Sequence, residues 1–235
     1  MTTLNDILAR VRARKQPGQR PPVVVFDLDG TLFDNGPRTW QILVDFAESH
    51  GMPELRAALD RSPRTRLPYL LRDTMHLLGE KDDDLIARAL EFWKQRFFTD
   101  DSQRHDEPLA GAVRFAQSCW DVGATLVYLS GRDAPNMLVG VAASLRSHSF
   151  PVGLAHTALV LKPRFEDTDL DFKADAVAFI DTLGDVVATF DNEPANCNLF
   201  QQRWPAGSHY FVRTQHAPDP PPLHPAILHI DDLTH

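Results

Sequence analysis

The chain has 235 residues, 43% hydrophobic and 24% charged, which excludes intrinsic disorder and, at roughly 150 residues per domain, leaves room for one α/β core and one smaller unit. A formal net charge of −8 disfavours broad electrostatic binding to nucleic acid or to an anionic membrane. The two cysteines, Cys119 and Cys197, are too few for a disulfide framework and indicate a reducing compartment.

No apolar run reaches the ~18 residues of a membrane span, and the first twenty residues lack the apolar centre of a signal peptide. The expectation is a cytoplasmic protein, monomer or homodimer. Leu4 to Arg14 reads as a short helix leading into the basic, proline-marked stretch 14–17, so residues 1–20 form an N-terminal helix and linker. Val23 to Phe26 is a continuous β-branched run that stops at Asp-Leu-Asp-Gly, the pattern of a buried parallel strand.

From 36 to 108 the periodicity is helical and no strand is apparent. Helices are predicted near Arg38–Ser49, Glu54–Asp60 and Leu67–Leu78, followed by one whose stripe is Leu85, Ile86, Ala89, Leu90, Trp93 and Phe97. Asp82 and Asp83 suit that helix's N-terminus, and Trp93, Phe97 and Phe98 read as core of the insert. Strands and helices then alternate: a helix over Leu109–Asp121, a strand at Thr125–Leu129, a helix at Pro135–Arg146 and a strand at Ala158–Leu161. The helix Lys173–Leu183, the strand Val186–Phe190, the helix Pro194–Arg203 and the strand Tyr210–Val212 follow. The proline-rich tail ends in Ala226–Ile230, either an edge strand or a surface segment.

This alternation predicts an α/β fold with a doubly wound parallel sheet. Its core takes residues 21–35 and 109–235, with an α-helical cap domain inserted at 36–108. Ligands of such sheets lie beyond the carboxyl ends of the strands, so Asp27, Ser130 and Asp191 are expected to converge.

Asp27-Leu28-Asp29-Gly30-Thr31 carries the strongest chemical signal. Two carboxylates two residues apart after a buried strand can divide nucleophilic attack and proton handling around one phosphoryl group. A divalent cation would offset the repulsion between Asp27 and the phosphate, and Gly30 permits a sharp turn toward that anion. The histidines His216, His224, His229 and His235 match no tight metal-ligand spacing and read as surface residues.

These residues resemble the first motif of the haloacid dehalogenase-like superfamily, and the other motifs follow in order between Val23 and Val212. The resemblance implies a Rossmann-like core, a type 1 helical cap, a Mg2+ cofactor and an aspartyl-phosphate intermediate on Asp27, with Asp29 as acid and base. It implies phosphate binding by Gly30, Thr31, Ser130, Gly131 and a lysine, Lys173 or its rival Lys162. Metal binding falls to Asp27, Asp29 and Asp191, with Asn192 and Glu193 as further candidates because the fourth motif lacks its usual second acid.

Arg64 and Arg66, with Arg38 and Arg132, are candidates for holding a second anionic group of the substrate. The Ser130-Gly131-Arg132 form of the second motif also resembles phosphatases acting on polynucleotide ends, although net acidity and the cap disfavour a polymer. Asp29 favours phosphate transfer over carbon–halogen cleavage, since dehalogenases of this type lack that aspartate. The resulting expectation is a phosphatase for a small phosphate monoester. The alternatives are a phosphomutase and a non-catalytic binding protein on the same fold.

Overall fold

The computed structural model describes residues 4–14 and 18–234; residues 1–3, Lys15, Gln16 and Pro17 of the linker, and His235 lie outside the described residues. Helix α1 (Leu4–Arg14) is followed by strand β1 (Pro22–Phe26), all five residues of which are buried. Valines on both faces of β1 suit a strand covered on two sides. Strand β1 pairs in parallel with β4 (Thr125–Asp133) on one edge and with β6 (Asp185–Asp191) on the other.

β5 (Thr157–Lys162) extends the sheet beyond β4, while β7 (Ser208–Val212) and β8 (Leu228–Ile230) extend it beyond β6. The order is β5-β4-β1-β6-β7-β8, with every pairing parallel. The chain thus reverses its direction of winding at β1, which leaves a crevice beyond the carboxyl ends of β1 and its neighbours. The tail returns as the sixth strand, resolving the choice between edge strand and surface segment. In α1 the residues Leu4, Ile7, Leu8 and Val11, at helical spacing, are buried in the main core with Phe26, Phe115 and Phe190.

Between β1 and β4 the chain forms a two-stranded antiparallel ladder, β2 (Phe33–Asp34) with β3 (Glu107–Pro108). The ladder brackets four helices: α2 (Gly36–Ser49), α3 (Pro53–Arg61), α4 (Leu71–Leu77) and α5 (Asp83–Phe97), then a 3-10 turn at Asp101–His105. These helices bury their own cluster, including Leu43, Phe46, Leu59, Met75 and Ile86. The Asp82 side chain caps α5 by accepting hydrogen bonds from the Asp84 and Leu85 backbone N–H groups at 2.9 and 3.4 Å.

The helix expected from Leu67 begins only at Leu71. Pro68 disfavours helical geometry at Leu67, and Leu70 is extended with ψ 130°. The segment Leu67–Leu70 is therefore free to line a cavity. The helix α6 (Ala112–Asp121) likewise begins three residues later than expected, after Gly111 turns left-handed with φ 77°. Its ideal Cβ would lie 2.2 Å from the Leu233 carbonyl oxygen, so only glycine fits there.

Helices α7 (Ala134–Ser147), α8 (Asp169–Leu183) and α9 (Pro194–Arg203) complete the layers. α8 starts four residues before Lys173, because the Thr168 side chain caps it by accepting from the Asp171 N–H at 3.2 Å.

His209 on β7 is buried, with Nε2 donating to the Trp204 carbonyl at 2.9 Å and Nδ1 against the Thr189 hydroxyl at 2.8 Å. Burial holds its pKa below the ordinary 6.5, with Arg10 adding in the same direction and the Trp204 bond opposing. The unfolded chain thus binds this proton more readily than the native one. The stability His209 confers is complete above the unfolded value near 6.5 and is lost as pH falls through the lower native value. Thermal melts should therefore lose more stability between pH 7.5 and 5.5 in the natural protein than in His209→Gln; parallel curves would contradict this.

Candidate active site

The pairing of Phe26 with Phe190 places residues 27 and 191 side by side at the carboxyl edge. The Asp27 N–H continues that ladder by donating to the Phe190 carbonyl at 3.0 Å. From the second turn of α8, Lys173 Nζ donates to Asp27 Oδ1 and to Asp191 Oδ2, each at 2.7 Å. All three groups are buried, and one ammonium offsets two carboxylates.

Burial pushes the Asp27 carboxyl above the usual range, with Asp191 and Asp29 adding to this and Lys173 opposing it. Burial lowers the Lys173 pKa, but the two carboxylates outweigh it and keep the ammonium charged. Asp191 Oδ1 accepts from the Glu193 N–H at 2.9 Å and from Asn196 Nδ2 at 3.2 Å, which fixes its rotamer. Asp27 Oδ2 has no protein hydrogen bond among the described residues.

Asp29 lies in a second charged cluster. Arg132 grips it through Nε to Oδ2 at 2.9 Å and Nη2 to Oδ1 at 2.7 Å, a two-point contact, while Arg38 Nη2 and Asn35 Nδ2 reach Oδ1 at 3.4 and 3.2 Å. The guanidiniums are in turn bound to Asp106: Arg38 Nε donates to Oδ1 at 2.7 Å and Arg132 Nη2 to Oδ2 at 2.8 Å. Arg38, Arg132 and Asp106 are buried, and the Asp29 side chain retains 32% exposure. Burial alone would raise the Asp29 pKa, but Arg132, then Arg38 and Asn35, hold it well below the usual carboxylate range.

Gly30 turns with φ 73°, and an ideal Cβ there would lie 2.2 Å from the Asn192 amide nitrogen. Asn192 itself donates to the Gln215 carbonyl and receives the Thr31 hydroxyl at 3.5 Å. Thr31 is thus buried against Asn192, and Gly30 borders a second cavity. Ser130 is buried at the edge of the site, where its Oγ accepts from the Arg132 N–H at 3.3 Å. A Cβ at Gly131 would collide with the Asp169 carboxylate, 2.2 Å from Oδ2.

A cavity of about 340 Å³ joins Asp27, Asp29, Asn192, Glu193, Ser130, Gly131, Arg132 and Lys173. The other candidates stand elsewhere or are occupied. Lys162 closes β5 and pairs with Asp169 at 3.0 Å, outside the cavity lining. The Arg64 guanidinium lies over Trp40, 4.8 Å from the ring centroid, and Arg66 borders the second cavity, where its N–H donates to Asp34 at 2.8 Å. Arg38 is consumed by Asp106 and Asp29. Glu193 accepts the Ala217 N–H at 2.9 Å.

Sequence reasoning missed Asp106, Asn35, Asn196 and Asp169. Asp106 and Arg38 stand at opposite ends of the insert and are joined only by folding. His216 contacts the Ala217 carbonyl, and His216 and His229 both pack on the Phe211 ring.

Among the described residues no group of three or more His, Cys, Asp or Glu side chains is placed to hold a metal. Magnesium requires less, since it takes one or two carboxylates and keeps several waters. The Asp27 and Asp191 carboxylates, drawn together by one ammonium, match that hard-oxygen donor set. The Asp29 carboxylate is bound through both oxygens by Arg132, as Asp191 is by Lys173, Asn196 and the Glu193 N–H.

No family model matches the sequence, and no curated protein matches it. Solved structures do. A candidate phosphatase from Clostridium difficile aligns over 84% of this chain and 88% of its own, with TM-score 0.54 and 15% identity. A candidate haloacid dehalogenase-like hydrolase from Burkholderia xenovorans aligns over 90% and 93%, with TM-score 0.51 and 15% identity. Protein Tyrosine Kinase A of Mycobacterium tuberculosis aligns over 90% and 94%, with TM-score 0.57 and 15% identity. Identities this low speak for architecture, and together with the sheet order they establish that this chain has the haloacid dehalogenase-like α/β fold.

Proposed function

We propose that the protein is a magnesium-dependent phosphohydrolase that cleaves a small phosphate monoester through an aspartyl-phosphate on Asp27. The observation that carries this is the contact of Lys173 with both Asp27 and Asp191 at the carboxyl edge of the sheet, where Lys173 and Asp27 line a cavity. A fold shared with a named kinase does not select the reaction; the site must.

Asp27 Oδ1 is taken by Lys173, which leaves Oδ2 to attack phosphorus. The new oxygen–phosphorus bond forms as the ester bond breaks, and the alcohol oxygen departs with its electron pair and takes a proton from solvent water. Lys173 holds the nucleophile in place and lessens its repulsion of the incoming phosphate. Water then attacks the phosphorus of the aspartyl-phosphate, phosphate leaves, and Asp27 is restored. Asp29, two residues from Asp27 and one-third exposed in the same cavity, would take the proton of that water and pass it to solvent. Magnesium, when bound by Asp27 and Asp191, would supply charge neutralisation of the phosphoryl oxygens. The helical insert serves as the cap that shields this chemistry from bulk water.

Purified protein given 4-nitrophenyl phosphate and magnesium should release phosphate, and a chelator should stop the release. Failure to release phosphate from this or any other monoester, with magnesium present, would contradict the proposal.

A further inference from the structure

The cavity above Asp27 has two unlike halves. Charged groups form its floor, whereas the insert supplies Leu67, Tyr69, Leu70, Leu90, Trp93 and Phe98 as its opposite wall. Trp93 stacks on Phe97 at 4.2 Å between centroids, and Phe98 meets both edge-on at 5.6 and 5.1 Å. The indole N–H of Trp93 is already given to the Thr39 hydroxyl at 3.1 Å, so this residue offers a ligand its ring surface alone. Tyr69 and Leu70 are 50% and 43% exposed, large apolar groups left to water at the rim until something covers them.

The charges are equally one-sided. The two cations that line the cavity, Lys173 and Arg132, are each bound to a pair of carboxylates. Asp169 and Glu193 line the same space. Tyr69 lines this space together with Asp29, Asp169 and Glu193, and burial, then those acids, push its hydroxyl up. Among the described residues, a second phosphate or carboxylate on the substrate would meet Glu193 and Asp169, the latter already paired with Lys162, and find no uncommitted cation in the lining. An uncharged ring would find a preformed aromatic face.

We infer that the leaving group is an uncharged aromatic or bulky apolar alcohol, seated against Tyr69, Trp93 and Phe98, and that monoesters bearing a second anionic group are rejected. This deepens the proposed phosphohydrolase activity and rests on it.

The test compares three esters whose leaving oxygens are all alkoxides: 2-naphthylmethyl phosphate, ethyl phosphate and 2-phosphoglycolate, each with magnesium and the full chain. The naphthylmethyl ester should exceed phosphoglycolate in kcat/KM by about a hundredfold or more, from the apolar area it buries. Tyr69→Ala should lower the ratio of kcat/KM for naphthylmethyl to ethyl phosphate by about tenfold, mainly through KM. Phosphoglycolate matching the naphthylmethyl ester, or Tyr69→Ala reducing both alkyl esters by one factor, would overturn the inference and leave the hydrolytic reading intact. Release from none of the three, nor from 4-nitrophenyl phosphate, would remove both.

Discussion

Asp27→Asn should reduce magnesium-dependent phosphate release by about 10³-fold or more, since an amide oxygen cannot form the covalent intermediate. The fold should survive. Asparagine keeps the shape of the side chain, and Lys173 keeps Asp191 as a counter-charge at 2.7 Å. Burial already raises the Asp27 pKa, so the native structure bears a cost for holding that carboxylate ionised. Removing the charge is therefore expected to leave the melting temperature unchanged or raised. A variant that loses activity and melts far lower would show that Asp27 acts as a structural partner of Lys173. A variant that retains natural turnover would exclude Asp27 as the nucleophile.

The largest stability effect is expected at Asp106, which does not itself line the cavity. Its side chain is fully buried between Arg38 and Arg132, themselves 0% and 2% exposed. Asp106→Ala would leave two buried guanidiniums with Asp29 as their one carboxylate, and breaking such a network costs about 3–5 kcal/mol. For a chain of this size that corresponds to roughly 10 °C in melting temperature. Arg213→Ala, which breaks the exposed pair with Asp231, should cause no comparable loss. Differential scanning calorimetry on the two variants checks both statements; equal shifts would contradict the role given to burial. The same Asp106 variant should lose turnover, because Arg132 orients Asp29 while held by Asp106.

Much of this was legible in the sequence because local patterns decide it. β-branched runs marked β1, β4 and β6, and the acids that follow two of them, Asp27 and Asp191, meet because parallel neighbours end together. The helical insert was legible from apolar spacing alone, and its stripe residues Leu85, Ile86 and Ala89 are buried. Element boundaries were less legible. Pro68 delayed α4, Gly111 delayed α6 and Thr168 advanced α8, each through backbone chemistry that periodicity does not register.

The charged cluster around Asp29 was not legible as a unit. Arg38 and Arg132 read as surface cations seeking an anionic substrate, and folding instead buries them against Asp106, 68 and 26 positions away in the chain. Arg64 and Arg66 failed to reach the cavity for a related reason: a basic run has other partners near it, here the Trp40 ring and Asp34. The choice between Lys173 and Lys162 turned on direction. α8 aims Lys173 between two strand ends, while Lys162 meets Asp169 beside its own strand.

The most direct test of Asp27 as a covalent nucleophile is to mix enzyme, magnesium and a rapidly cleaved aryl phosphate, quench in acid within the first turnover, and map the phosphoryl group by peptide mass spectrometry. The expected result is one added phosphoryl group on the peptide containing Asp27, discharged by hydroxylamine and missing in Asp27→Asn. A phosphoryl group on any other residue, or turnover with no trapped phosphoryl group in repeated early quenches, would contradict it.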